Sequence, residues 1–345
     1  MPFHDVAGNA RVHNIIRRAL AADRLPNSLI FGGPRGVGKR RTARLTAQAL
    51  NCLSLKDDAC GKCGPCRAIE VRGRKDGIGT FPDVQEIEIP EDKTEIGIDQ
   101  MRILRKQAYL RPMTGRKRVF IVTSADTMDD EAANALLKIL EEPPLFTHVI
   151  LLAENPALLL PTIRSRCQML TFLPVSDEEI EKALLDGGVS AERARILALI
   201  CRGNIEKALE MDWEEIQAER GDAWQIFCSL ADGSNPAALL HRFSKKRGEG
   251  TKRAAVQSDL AALLELLAAF GRDAVLLAEG GDPRLLINPD YEAELRAAAA
   301  GLGPERALRL VDLLHGAAAS NDRNAHFAAL ITSLTAQWLR ADAAL

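Results

Sequence analysis

Three scarcities narrow the field before any motif is considered. Aromatic residues fill only 4 % of the 345 positions. The charges nearly cancel, with 45 Lys+Arg against 47 Asp+Glu leaving −2 at pH 7, so no global basic field marks a nucleic-acid coat and any anion site must be local. Long apolar runs are missing as well. Runs such as Val149 to Ala153 and Ala157 to Leu160 fall far short of the roughly 20 residues that cross a bilayer, which excludes a helical membrane span. The start, Met1-Pro2-Phe3-His4-Asp5, lacks the basic patch and apolar stretch of a secretory signal, so the expectation is a cytoplasmic protein with no membrane partner. What is present, 47 % hydrophobic and 27 % charged residues, suits a folded chain with a large core and two or three domains.

Cysteine is too sparse for a disulfide scaffold, with seven in the chain, and is unevenly placed. Cys52, Cys60, Cys63 and Cys66 fall within fifteen residues, whereas Cys167, Cys201 and Cys228 stand alone and read as small buried hydrophobes.

Periodicity divides the chain. Val12, Ile15, Ile16, Ala19 and Leu20 give a helix from Arg11 to Ala22. Leu25-Pro26-Asn27 breaks it before the apolar strand Ser28 to Phe31. A glycine-rich turn, Gly32 to Arg40, then leads into an Ala- and Leu-rich helix from Thr42 to Asn51, which is the start of a βαβ unit. Further strands are expected at Val84 to Ile89, Val119 to Val122 and His148 to Leu152. The last two lack alternation and so belong in the middle of a parallel sheet covered on both faces. Asp129-Asp130 caps a helix from about Glu131 to Glu141 with Ala133, Leu136, Leu137 and Leu140 as its core stripe, and Pro143-Pro144 stops it. Beyond Pro174 the pattern is helical: a capping box at Ser176 to Glu179 opens a helix through Leu185, Ala191 to Cys201 gives a second, and Gly203-Asn204 leads into a short third. From Trp213 onward helical periodicity is clearest at Val256 to Phe270, Glu305 to Leu314 and Arg323 to Leu339, with turns at Arg247 to Gly250 and Glu279 to Pro283. The expected division is an α/β domain over 1–173 with a cysteine insertion at about 51–67, a small helical unit over 174–212 and an all-helical domain over 213–345.

Gly33 to Lys39 has the Walker A spacing, a glycine, four residues, then Gly-Lys. Such a loop offers backbone N–H groups and a helix N-terminus to phosphate, with Lys39 placed to neutralise the β/γ oxygens. The next residue should be a Ser or Thr that holds Mg²⁺, and it is Arg40, whose guanidinium repels a cation. Gly33, Gly36, Gly38 and Lys39 are thus either a glycine turn kept for fold geometry or a nucleotide loop without competent hydrolysis. The strand at Val119 to Val122 should end in Asp-Glu to hold the metal and polarise water, but Thr123-Ser124-Ala125-Asp126 follows, in which Asp126 fits a turn or cap better than catalysis.

In the cysteine cluster, gaps of seven, two and two residues let a tight knuckle aim successive thiolates at one ion, with Gly61, Gly64 and Pro65 supplying the turns. A closed tetrahedral set of four sulfurs on structural Zn²⁺ fits best, with an iron–sulfur cluster and free thiols as the competitors. The seven basic residues Arg102, Arg105, Lys106, Arg111, Arg116, Lys117 and Arg118, with no acidic one among them, form a stripe suited either to nucleic-acid phosphates or to a solvated face.

Taken together, Gly33 to Lys39, the cysteine cluster after the following helix, the run Asn134 to Pro144 (Asn-Ala-Leu-Leu-Lys-Ile-Leu-Glu-Glu-Pro-Pro) and Ser165-Arg166-Cys167 resemble the bacterial clamp-loader branch of the AAA+ family. The resemblance is strong over the first 210 residues or so. The helical remainder resembles the family's collar only in character, although Asn321-Asp322-Arg323-Asn324 is similar to the start of the collar's last helix. It implies an AAA+ α/β core of P-loop type, a helical lid and an all-α collar that holds a five-subunit ring together. It implies gamma/tau motor subunits and a delta subunit as partners, with the sliding clamp and primer-template DNA. It also implies that Arg166 is an arginine finger completing a neighbour's ATP site in trans, where Arg166 taken alone would be a solvated or salt-bridged surface residue. Motor subunits carry complete Walker motifs and a sensor arginine at the position of Glu206; this chain departs from that pattern at Arg40, at Thr123 to Asp126 and at Glu206, so the resemblance favours a non-motor member over a catalytic ATPase. A zinc-dependent nucleic-acid module without ring partners would explain the cysteines but neither Arg166 nor the leucine-rich helix.

Overall fold

The computed structural model describes residues 2–69, 81–90, 93–232, 253–322, 330, 332–334 and 336–338. They fall into two compact units, Met1–Gly188 with Cys201–Leu209, and Val189–Ile200 with Glu210–Leu345.

The first unit is built on a five-stranded parallel sheet. Its strands are β1 (Ser28–Gly32), β2 (Val84–Ile87), β3 (Arg118–Val122), β4 (Thr147–Ala153) and β5 (Gln168–Thr171), ordered β2-β3-β4-β1-β5. Phe31 lies opposite Leu152 on one side and Leu170 on the other, so β1 is central and its outgoing loop emerges at the carboxyl edge of the sheet. Crevices of open α/β sheets form at that edge. The helices up to residue 210 are α1 (Ala10–Ala21), α2 (Lys39–Asn51), α3 (Gly64–Ala68), α4 (Ile98–Ala108), α5 (Asp130–Glu141), α6 (Pro161–Arg164), α7 (Asp177–Asp186), α8 (Ala191–Cys201), which belongs to the second unit up to Ile200, and α9 (Ile205–Glu210).

Both faces of the sheet are covered, which is why β1, β3 and β4 are apolar without alternation and buried at every position. Leu29, Phe31, Val119, Ile121, Ile150 and Leu152 pack with Val12 and Ile16 of α1 and Leu45 of α2. Ile30, Phe120, Val122, Val149 and Leu151 pack on the other face with Met101 and Leu104 of α4 and Leu136 and Ile139 of α5. The helix starts follow local chemistry. Asp129 accepts the Ala132 N–H at 2.6 Å, and Ser176 and Glu179 form the expected reciprocal capping box.

Two strands differ from expectation. The strand at Val84 ends at Ile87 rather than Ile89. β5 carried no signal in the sequence because it is short and at an edge, with only Leu170 buried among Gln168-Met169-Leu170-Thr171.

The second unit is helical among its described residues, with α10 (Trp213–Ala231), α11 (Arg253–Ala278) and α12 (Glu292–Asp322). Asp212 caps α10 by accepting the Glu214 and Glu215 N–H groups. Gly303, at φ 68°, and Pro304 break α12, so the helix expected from Glu305 is its second arm. The core here gathers Trp224, Phe227, Phe270 and Tyr291, with ring centroids 5.2–6.0 Å apart. Beside them the buried Arg220 is held by Asp290 at 2.7 and 2.8 Å and by Asn288 at 3.0 Å. The turn at Arg247 to Gly250 and most of the segment from Arg323 to Leu339 lie outside the described residues. No described helix is long and apolar enough to cross a membrane.

Candidate functional site

Three constellations foreseen in the sequence are each assembled within the first unit. The loop from Gly33 to Lys39 runs from the end of β1 into α2, and its turns use positive φ at Gly33, Gly36 (73°) and Gly38 (90°), conformations that favour glycine. Gly36 also lies hard against the Asn204 carboxamide.

The buried Lys39 turns back on its own loop. Its Nζ donates to the carbonyl oxygens of Gly33 and Pro34 at 2.5 Å each. Burial lowers its pKa, and the charges of Glu154, Glu206 and Asp126 oppose that shift. Three carboxylates and the Arg35 guanidinium therefore lie within electrostatic reach of the Lys39 ammonium. The start of α9 closes on the same loop: the Glu206 N–H donates to the Gly36 carbonyl at 3.1 Å, and Asn204 caps α9 by accepting the Lys207 N–H at 2.9 Å.

Arg40, one position beyond, points to β2. It donates to Glu86 at 2.6 and 2.9 Å and pairs with Glu88, and Arg44 binds the same Glu86. Two guanidinium groups converging on a carboxylate with 8 % exposure form a cross-link between α2 and β2. At the end of β3, Thr123 Oγ1 donates to the Ile87 carbonyl at 3.1 Å. Asp126 Oδ2 accepts the N–H groups of Glu154 and Asn155 at 3.0 and 2.8 Å, fastening the turn after β4.

The cysteine cluster closes as its spacing requires. The sulfurs of Cys52, Cys60, Cys63 and Cys66 all lie within 4.8 Å of one another. Tetrahedral Zn–S bonds of about 2.3 Å set sulfurs about 3.8 Å apart, so these four fit one ion after a small contraction. Cys52 ends α2, Cys63 caps α3, and Gly61 turns the chain at φ 67° between them. The Cys63 N–H donates to Cys60 Sγ at 3.3 Å; backbone N–H groups of Lys62 and Cys63 lower the Cys60 pKa to about 6. The cluster is tied to α1 through Arg17, which pairs with Asp57 at 2.8 Å and Asp58 at 3.4 Å.

Arg166 follows the single turn α6. Its Nη1 donates to the Thr162 carbonyl at 2.9 Å, and its Nη2 pairs with Glu141 Oε1 at 2.7 Å. The Leu-rich run and the Ser-Arg-Cys run, quoted separately above, thus meet in one ion pair. Among the lone cysteines, Cys201 is buried, whereas Cys167 and Cys228 are partly buried.

The basic stripe does not survive intact. Arg118 is buried and bonds Asp83 at 3.0 Å, and Arg102 contacts Asp99, an acidic residue just outside the stripe. Sequence reasoning missed Glu86, Asn204 and Glu141. Glu86 carried no motif, Asn204 was named only as the lead into a short helix, and Glu141 was quoted only as part of a run. Their roles come from partners distant in the chain.

Comparison with known proteins agrees with this construction. Residues 8–176 match the family described as "DNA polymerase III, delta subunit". Over 209 residues the chain is 34 % identical to DNA polymerase III subunit delta' of Bacillus subtilis, covering 61 % of this chain and 60 % of that protein. It is 30 % identical over 238 residues to the tau subunit of the same organism (69 % and 36 %) and 31 % identical over 258 residues to tau of Escherichia coli (72 % and 39 %). The matched stretches thus span 36–60 % of these relatives' lengths. Over residues 8–176, where the parallel sheet carries a loop of Walker A spacing, the chain is thus similar to the delta-type and tau subunits of DNA polymerase III.

Proposed function

We propose that the chain is the delta-prime type of clamp-loader subunit, a stator that does not hydrolyse ATP itself and donates Arg166 to the ATP site of a neighbouring motor subunit. The observation that carries this reading is the placement of Arg40. The residue that should hold Mg²⁺ is a guanidinium engaged with Glu86 and Glu88, while Lys39 is bound by the carbonyls of its own loop. The carboxylates of Glu154, Glu206 and Asp126 around Lys39 add repulsion toward a polyphosphate. Nucleotide then matters at the interface with the neighbour, where Arg166 offsets charge developing on the transferring phosphoryl group.

Its partners on this reading are gamma/tau and delta subunits in a five-subunit ring, the sliding clamp and primer-template DNA in the cytoplasm. The chain would use residues 1–173 as the AAA+ domain, 174–212 as the lid and 213–345 as the collar. Cys52, Cys60, Cys63 and Cys66 would hold structural Zn²⁺, which supplies a cross-link between the end of α2 and the α3 turn and leaves no open position for water.

The test is ATP turnover by this chain alone, and by the gamma/tau and delta subunits with either the wild-type chain or Arg166→Ala, in the presence of clamp and primed DNA. The expected result is no turnover alone and, in the assembly, a fall on losing Arg166 to the contribution of sites that it does not serve. Turnover by the isolated chain, abolished by Lys39→Ala, would make the chain a motor like its tau relatives and overturn the proposal.

A further inference from the structure

We infer that Glu141 is a positioning residue for Arg166, holding the guanidinium in the geometry in which it meets a neighbouring subunit's nucleotide; this rests on the finger role proposed above. An exposed arginine has many rotamers, and ordering it at the moment of reaction costs side-chain entropy. Here that ordering is done beforehand from two sides. Nη2 is paired with Glu141 Oε1 at 2.7 Å and Nη1 is bonded to the Thr162 carbonyl at 2.9 Å, with Ser165 Oγ at 3.4 Å. These contacts use at most three of the five N–H donors of a guanidinium and leave at least two for a phosphoryl group.

Both anchors stand on fixed backbone. Glu141 directly follows Leu140, and Arg166 lies between Ile163 and Cys167; Leu140 and Ile163 share one buried cluster, with Cys167 packed against it. The Ser165 N–H donates to the Pro161 carbonyl and the Arg166 N–H to the Ile163 carbonyl, at 3.0 and 3.1 Å, so the turn carrying the finger is closed on itself.

The position of Glu141 is also poor for helix stability. It sits in the last turn of α5 beside Glu142, where the helix dipole disfavours negative charge; Lys138 in the same turn and Arg166, paired directly with Glu141, offset it. With 35 % and 45 % of the two side chains exposed, the pair is accessible from outside the subunit and contributes little to folding.

The experiment uses the complete assembly of this chain with gamma/tau and delta subunits, clamp and primed DNA, and compares wild type, Glu141→Gln, Glu141→Asp, Arg166→Ala and Glu141→Gln/Arg166→Ala. Gln keeps the size of the side chain and removes its charge. At the served site Glu141→Gln is expected to lower kcat about two- to fivefold, the weight of an exposed ion pair, with KM for ATP changed less than twofold. Glu141→Asp should recover part of the loss, and the double variant should match Arg166→Ala, because a residue that acts only through Arg166 has nothing left to position. An unchanged or raised kcat in Glu141→Gln, or additive losses in the double variant, would overturn the positioning role while Arg166→Ala still supports the finger. If Arg166→Ala itself leaves turnover unchanged, the finger role fails and the inference fails with it.

Discussion

Adding one methyl group to either of two nearby glycines should separate backbone strain from the docking of α9 on the glycine-rich loop. Gly36 and Gly38 both have positive φ, 73° and 90°, so Ala at either position pays about 1–2 kcal/mol for a left-handed L-residue. At Gly38 nothing else is within reach of the new Cβ, and the cost stops there. At Gly36 the methyl would fall inside the Asn204 carboxamide. Asn204 must then swing away and release the Lys207 N–H, losing a helix cap of about 1 kcal/mol and loosening the bond from the Glu206 N–H to the Gly36 carbonyl. Gly36→Ala should therefore cost at least about 1 kcal/mol more than Gly38→Ala. Trp213, Trp224 and Trp338 all belong to the second unit, so tryptophan fluorescence is blind to this change. Amide hydrogen exchange resolves it. Segment 204–210 should exchange about fivefold faster in Gly36→Ala than in Gly38→Ala, with β3 and β4 affected less. Asn204→Ala removes the cap in advance, so the double variant should recover about 1 kcal/mol of coupling. Equal exchange in the two alanine variants, or strict additivity with Asn204→Ala, would refute the argument that α9 rests on the loop through Asn204.

Other consequences follow from groups already described. Cys63→Ser should lower the melting temperature and release bound zinc, read by calorimetry and metal analysis; unchanged values of both would remove the metal from the account. Burial pushes the Asp83 carboxyl upward, but N–H groups of Thr114, Gly115 and Met113 and the Arg118 guanidinium overcome it and hold its pKa at about 2, against 3.8 ordinarily. A depressed carboxyl stabilises above its unfolded pKa, so about 2 kcal/mol present at pH 5 and above should be lost as pH falls from about 4 to 2; Asp83→Asn should flatten that acid limb of an unfolding profile. Leu136→Ala, at a fully buried position of α5, should cost about 2–5 kcal/mol by hydrogen exchange in the first unit.

How much of this molecule was legible in its sequence depends on whether a feature is set by neighbours in the chain or by partners in space. β3 and β4 were legible because burial on both faces writes itself as an unbroken apolar run, and α5 and α7 because a cap and a stop lie within a few residues of the helix they bound. The cysteine knuckle was legible for the same reason: two-residue gaps are a local geometric statement about one ion. β5 was not, since an edge strand with one buried side chain has almost no pattern to show.

The site was legible in part and in a particular way. Arg40 could be seen to exclude a cation, but not to pair with Glu86, 46 residues away, and so the substitution read as a loss. In the fold it is a replacement: a fixed positive group joins α2 to β2 beside the loop. The same holds for Arg166 and Glu141, which sat in two separate motifs and are one ion pair. The loop has Gly36, Gly38 and Lys39 in the Walker A arrangement, followed by a salt-bridged arginine where that pattern places a Mg²⁺-holding hydroxyl. What that shape supports in the fold is the seat of α9 at Asn204 and Glu206. On the stator reading proposed above, a rigid first unit presents Arg166, and a variant that loosened the loop should lower turnover at the neighbouring subunit's site without touching Arg166.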